Sequence, residues 1–241
     1  SDVSCGLRWL WTATLYLAIT AVGVALAMLG PTLEGLSQEL QISSAAASAL
    51  FSVRAFGYLC GATFGGDLLD KTPNKARLLL TGTALTAVST GLMPRLSSLP
   101  CVCATFFFQG IIMGLLDTGG NVLMLTVWRG SKYVNAAVHG FHFLFGLGAF
   151  LAPVCVSISL SAGLRSVQTW TVAGVSFLPS CLGLLILMPT EQPVTSEEGG
   201  ENGPLGSIVL LTGAFLFTYV GLEVAFGGYC DIFAVRHLGY S

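Results

Sequence analysis

The chain has 241 residues, 54% of them hydrophobic and 9% charged, with a formal net charge of −2. Ordinary soluble domains carry about 25% charged residues, so a mean hydropathy of +0.79 puts most of this chain into a medium other than water. The faint negative balance argues against a nucleic-acid binder, which needs a basic face.

Seven cysteines make no metal or redox pattern. Cys101 and Cys103 have one residue between them, where a zinc or redox pair has two, and Cys60, Cys101, Cys103, Cys155 and Cys181 sit in or beside apolar runs. They read as small hydrophobes. The first residue is Ser, and no basic, apolar and small-residue succession marks a signal peptide. The sequence is therefore expected to be a piece of a longer chain, or one trimmed at its start.

A membrane-spanning helix needs about 20 mostly apolar residues, and seven runs qualify. The first, 9–29, closes at Gly30-Pro31-Thr32, where Pro can stop or bend a helix. The second, 45–65, contains Arg54 and a row of Gly57, Gly61 and Gly65, a spacing that lets two helix backbones approach closely. The third is 78–94. The fourth, 102–128, is apolar enough for lipid yet contains Asp117 and Asn121. The fifth, 136–160, carries His139, His142, Gly146, Gly148 and Pro153. The sixth is 169–188, and a seventh opens near Leu205 and holds Glu223.

Basic residues set the expected orientation. Arg8, Lys71, Lys75, Arg77, Arg129 and Lys132 fall on one side; Arg95, Arg165 and Arg236 fall on the other. The richer side is cytoplasmic by the positive-inside bias, which places the N-terminus inside the cell. The stretch 189–204 then lies on that side as well. Its Glu, Gly and Pro content suits a flexible linker. The layout is an all-α membrane protein: a six-helix N-terminal bundle over 1–188, a cytoplasmic linker over 189–204, and the start of a second bundle over 205–241.

Asp117 stands out because an ionised Asp at bilayer depth costs about 2.5–3.5 kcal/mol or more, so such residues face a protein interior or a wet path. At 100° per residue, Asn121, Met124 and Trp128 lie within about 40° of it, forming one stripe on the helix. A carboxylate can hold a hard cation through oxygen or carry a proton, and an amide offers both a donor and an acceptor to hydroxyls. An internal salt bridge that only joins helices is the other reading of Asp117. Arg54, about 20° from Gly61 on its helix, is its expected partner, or that of Glu223, in a pair that is either structural or gating. His139 and His142, one turn apart, can reach a hydroxylated ligand or simply pack; no third ligand near them in sequence makes a metal site. Trp128 reads first as an interfacial anchor. Glu223 is the second membrane carboxylate. No nucleophile–base pair or closed metal set appears, so the chain does not read as an enzyme.

The turn Gly66-Asp67-Leu68-Leu69-Asp70-Lys71-Thr72-Pro73-Asn74-Lys75 resembles the signature loop of the major facilitator superfamily, with Pro73 where that loop usually has Gly. Asp70 can pair there with Lys71, Lys75 or a neighbouring helix end. Four more stretches narrow the resemblance. They are Leu29-Gly30-Pro31-Thr32-Leu33-Glu34, Arg54-Ala55-Phe56-Gly57-Tyr58-Leu59, Gly114-Leu115-Leu116-Asp117-Thr118-Gly119-Gly120-Asn121, and His142 through the Gly146-Leu147-Gly148 segment to Pro153. With Tyr219-Val220-Gly221-Leu222-Glu223-Val224, they are similar to the sodium-dependent glucose transporter branch, itself similar to bacterial fucose permease.

The resemblance implies a twelve-helix fold, of which about five helices lie beyond this sequence. It also implies alternating-access symport of a hexose, glucose first, with sodium as coupling ion, no other cofactor, and a plasma-membrane location, apical in an epithelium. It assigns Asp117 to coupling and sugar binding, with Asn121 beside it, and supports His142 more firmly than His139 as a sugar contact. Glu223 joins them if the opening helix of the second bundle faces the first across the midplane. The rival expectations are a proton-coupled or uncoupled sugar transporter of the same fold, and a non-transporting membrane protein that binds or senses.

Overall fold

The computed structural model describes residues 4–190 (except the side chain of residue 44), residue 193, and scattered positions between 211 and 238. The chain divides into two compact units, Ser1–Thr195 and Ser196–Ser241.

In the first unit, α1 (Cys5–Ala27) and α2 (Leu29–Glu39) follow one another with a break only at Met28. The helix does not stop at Pro31, because Pro31 falls in the first turn of α2, where its missing N–H removes no bond of that helix. The helices α3 (Ser44–Lys71), α4 (Lys75–Leu92), α5 (Leu99–Val127) and α6 (Val134–Ser161) are long single rods. The sixth span is split into α7 (Thr169–Val175) and α8 (Leu178–Leu187). Pro179 explains the split: it has no N–H for the Val175 carbonyl and its ring crowds the preceding turn. Six helical segments are long and apolar enough to cross a membrane, Cys5–Ala27, Ala45–Lys71, Lys75–Arg95, Leu99–Val127, Val134–Ser161 and Ser166–Leu187.

Local chemistry sets the helix starts. Ser4 Oγ accepts from Leu7 N–H and Ser43 Oγ from Ala46 N–H, supplying acceptors to donors that have no helical partner. The segment expected to leave the membrane at Gly66 instead stays helical to Lys71, so the turn into α4 is only Thr72–Asn74. Asn74 organises that turn. Its Oδ1 accepts from Arg77 N–H at 2.8 Å, and its Nδ2 donates to the Met188 carbonyl at 2.8 Å. One side chain thereby caps α4 and ties the loop to the end of α8.

Two helix pairs dominate the packing, α3 with α5 and α1 with α6. Glycines bring each pair together. A Cβ on Gly61 would lie 2.9 Å from Ile111 Cα, one on Gly57 would lie 3.2 Å from Ile111 N, and one on Gly110 would lie 2.9 Å from Tyr58 N. On the other pair, a Cβ on Gly148 would lie 3.1 Å from Val24 N, and one on Gly23 would lie 3.0 Å from Ala149 N. Close backbone approach replaces the hydrophobic drive that lipid does not supply. Arg54 and Tyr58 meet Gly110 and Gly114 in the same sequence order, so α3 and α5 run parallel.

The core of this unit is built from Trp11, Leu15, Ile19, Val22, Met113, Leu116, Leu123, Met124, Phe141, Phe177 and Leu184. Outward faces are equally apolar: Phe56, Phe64, Phe143, Phe150, Ile158 and Leu182 are all exposed. An exterior as greasy as the core is what a bilayer-facing bundle requires. The cysteines are free; Cys60, Cys103, Cys155 and Cys181 are half-buried and Cys101 is exposed, so they edge the bundle rather than fill it.

Of the second unit, the described positions between 211 and 238 are helical. Thr218 Oγ1 donates to the Ala214 carbonyl, and Phe215 stacks on Tyr219 one turn along. Glu223 lies outside the described residues.

Candidate functional site

Asp117 lies in the C-terminal half of α5, half-buried, on the side that meets α3. Its hydrogen-bond partner is the phenol of Tyr58, which donates to Oδ2 at 2.6 Å. The short distance suits an O–H donating to a carboxylate. Local packing explains why these two side chains meet. A Cβ on Gly114 would press on the Tyr58 carbonyl and lie 2.7 Å from Ala62 N, so the Tyr58 backbone is held one turn before Asp117 and its ring reaches along the seam. Thr118 Oγ1, next to Asp117, donates to the Ala62 carbonyl at 3.5 Å.

Asn121 follows one turn later, and its Oδ1 is buried with no hydrogen-bond partner in the structure. A buried acceptor left unpaired costs about 1–3 kcal/mol, so this oxygen is suited to a ligand donor or a cation. Asp117 and Asn121 together offer oxygens of the kind a hard cation takes. The stripe ends there. Met124 is fully buried in the core, and Trp128 is pinned to α1. Its Nε1 donates to Thr12 Oγ1 at 2.9 Å, Trp9 meets it edge-on, and the Arg8 guanidinium lies over its ring. Trp128 is thus a helix-to-helix fastener.

Arg54 is not paired with Asp117. Its backbone is level with Gly110, seven residues before Asp117 and so about 10 Å up the helix. The guanidinium turns away to α1, where Nη1 donates to the Ala25 carbonyl at 3.2 Å and Nη2 to the Leu26 carbonyl. It also lies over the Phe106 ring, 5.4 Å from the centroid. The physical reason is the break at Met28: past it the backbone ladder resumes with Thr32 N–H bonding the Met28 carbonyl. Helix-end carbonyls carry partial negative charge, and a planar fork fits two of them. The side chain is 4% exposed, so this cation is held by backbone dipoles and a ring face rather than by a carboxylate.

Asp70 is exposed at the end of α3, and no ion pair is recorded for it; among the described residues the ion pair found is Arg165 with Glu39, 2.7 Å apart at the opposite end. The expected pairing of Asp70 with Lys71 or Lys75 is not formed, since the buried Lys75 Nζ turns to the Thr72 carbonyl at 3.4 Å. His139 and His142 are both exposed in the first unit taken by itself, on the part of α6 turned from its buried row of Ala137, Phe141, Gly148 and Ala152. His142 meets the Phe141 ring edge-on. The structure brings Tyr58 to Asp117, with Asn121 on the next turn, and gathers neither Arg54 nor Asp70 to them. Tyr58 was absent from the expected site. Its signal was its place beside Gly57 and Gly61, which puts a hydroxyl on the flank of a close helix seam.

A cavity enclosed by Leu15, Ile19, Leu79, Leu116, Phe141 and Leu184 lies in the bundle core. Its lining is apolar apart from Thr83 and does not include Asp117. It is a packing void rather than a place for a polar ligand.

Six helices long and apolar enough to cross a membrane, four of them joined in two glycine-sealed parallel pairs and one carrying Asp117 within its apolar span, define a multi-pass helical membrane protein. Residues 15–241 match the model of the Major Facilitator Superfamily, and the chain belongs to that family. It is 29% identical over 246 residues to sodium-dependent glucose transporter 1 of Xenopus laevis, covering 89% of this chain and 49% of that protein. It is 30% identical over 260 residues to the Homo sapiens protein of the same name, covering 90% and 49%. With the Rattus norvegicus protein of that name, the identity is 38% over 155 residues, 64% of this chain and 31% of that one. The chain spans about half the length of the Xenopus laevis and Homo sapiens relatives. Its fold is similar to that of a mutant of the peptide transporter POT crystallised with sulfate, at TM-score 0.65 and 16% identity, covering 95% of this chain and 47% of that one.

Proposed function

We propose that the full-length protein is a secondary transporter that carries a hexose, glucose first, in symport with sodium by alternating access. The observation that carries this reading is the Asp117 carboxylate, which lies in a membrane helix bonded to a neutral phenol and not to a basic side chain. A negative charge left without a counter-charge in the membrane is costly, and a bound cation removes that cost. The unpartnered Asn121 oxygen and the similarity to sodium-dependent glucose transporters support the same assignment.

In this mechanism, sodium binds at the Asp117 carboxylate and the sugar hydroxyls are met by Asn121, with His142 and Glu223 as further contacts and His139 as an outer one. Each ligand biases the exchange between outward and inward states only by its difference in affinity for the two. The cytoplasmic N-terminus and a plasma-membrane location, apical in an epithelium, belong to the same proposal. Uptake of labelled glucose by cells making the full-length protein, with sodium replaced by choline at fixed pH, tests it. Uptake that falls to background supports sodium symport. Uptake that is unchanged by choline but follows an imposed pH gradient assigns the coupling to protons, and uptake insensitive to both assigns a uniporter.

A further inference from the structure

The geometry points to Tyr58 as a positioning residue for cation binding: its hydroxyl fixes the Asp117 carboxylate so that one oxygen is occupied and the other is presented to the cation. This rests on the reading of Asp117 as the coupling carboxylate. Three observations support it. The Tyr58 hydroxyl donates to Oδ2 at 2.6 Å, and no partner is recorded for Oδ1 among the described residues. An ionised carboxylate accepts at about four lone-pair sites, so the phenol need not leave when a cation arrives.

The second observation is the rigidity of the frame. Gly57 and Gly61 on α3, and Gly110 and Gly114 on α5, each face backbone of the other helix at a separation no Cβ could enter. The register between Tyr58 and Asp117 is therefore set by backbone against backbone, and the phenol cannot drift along the seam without parting the helices. The third is that the basic group expected to pair with Asp117 does not compete for its carboxylate. Arg54 is engaged with the Ala25 and Leu26 carbonyls. The phenol is the group that orients the charge, as outer partners orient ligating carboxylates in metal sites.

The test uses purified full-length protein and titrates sodium against thermal unfolding, since a ligand bound only by the folded state raises its midpoint. Choline serves as the ionic-strength control. Tyr58→Phe keeps the ring and its packing and deletes only the hydroxyl. Removing an outer partner of a ligating group costs about 10–100-fold in affinity, so Y58F is expected to need about tenfold more sodium for half the stabilisation. Asp117→Asn is expected to abolish the sodium response, and the double variant is expected to match D117N alone. In uptake, Y58F is expected to raise the half-saturating sodium about tenfold. Its half-saturating sugar at saturating sodium is expected to stay within about twofold of the parent, as positioning through the carboxylate requires.

A Y58F titration superimposed on the parent while D117N has lost its response overturns the role of Tyr58 and leaves the reading of Asp117 standing. A D117N titration like that of the parent overturns both. A lower midpoint for Y58F without sodium, with unchanged half-saturating sodium, marks Tyr58 as a packing residue and also overturns the proposal.

Discussion

Replacing Gly61 by Ala adds one methyl group to the α3–α5 seam, and the structure fixes where that methyl must go. It would lie 2.7 Å from the Ile111 carbonyl carbon and 2.9 Å from Ile111 Cα, with the carbonyl oxygen closer still. These are backbone atoms of a facing helix, so no rotamer change relieves the clash and the helices must part. Overpacking of this kind costs about 1–3 kcal/mol. Ala is favoured over Gly within a helix by up to about 1 kcal/mol, which offsets part of it. The net expectation is destabilisation by about 1–2 kcal/mol, or a midpoint about 2–8 °C lower for a chain of this size. Gly66→Ala on the same helix is the internal control, because a Cβ there meets nothing within 4 Å and only the propensity gain applies. Thermal unfolding of the detergent-solubilised protein, followed by loss of the monodisperse peak, measures both. If G61A melts with or above G66A, the glycine seam is not what holds α3 to α5, and the fixed register between Tyr58 and Asp117 falls with it.

Arg54→Met strips the Ala25 and Leu26 carbonyls of their donors and is expected to destabilise the protein by about 2 kcal/mol, since buried acceptors left unpaired cost about 1–3 kcal/mol each while the cost of burying the charge is recovered. A midpoint equal to that of the parent would show that the backbone at Met28 needs no clasp. Asn74→Ala loses the α4 cap and the bond to Met188, about 1–2 kcal/mol together. Asn74→Asp keeps the cap acceptor without the donor, so its midpoint should fall between those of parent and Ala variant; equality with the Ala variant would deny the cap any weight.

Helices were legible in the sequence to the extent that lipid writes them there. Apolar runs located six spans, and the Gly57, Gly61 and Gly65 row announced a close seam whose facing glycines, Gly110 and Gly114, were visible only once α5 was placed against it. Boundaries were less legible. Pro31 was expected to mark an end and Gly66 an exit, yet proline is harmless in a first helical turn and glycine carries a helix onward when its neighbours do. The sixth span hid its break at Ser176 and Phe177 because Pro179 sits in an apolar run that reads as continuous.

Asp117 and Asn121 were legible as polar letters in an apolar word. Their surroundings were not, because partnership is a three-dimensional fact. Tyr58 lies 59 positions from Asp117, and nothing in its own run names a carboxylate. Arg54 suggested a salt bridge because sequence shows side chains only. Its true partners are main-chain carbonyls exposed by a helix break, and a backbone acceptor has no letter.

The central claim is that the Asp117 charge couples a cation to the sugar, and Asp117→Asn in the full-length protein tests it most directly. The measurement is the steady-state ratio of labelled glucose inside to outside under an inward sodium gradient, with surface delivery quantified in parallel. The account predicts that the parent accumulates glucose above unity and that D117N reaches the surface but equilibrates at a ratio of about one, since only the charge has been removed at nearly constant size. A D117N protein that accumulates glucose like the parent would contradict it, and Asp117 would then be a structural group bonded to Tyr58.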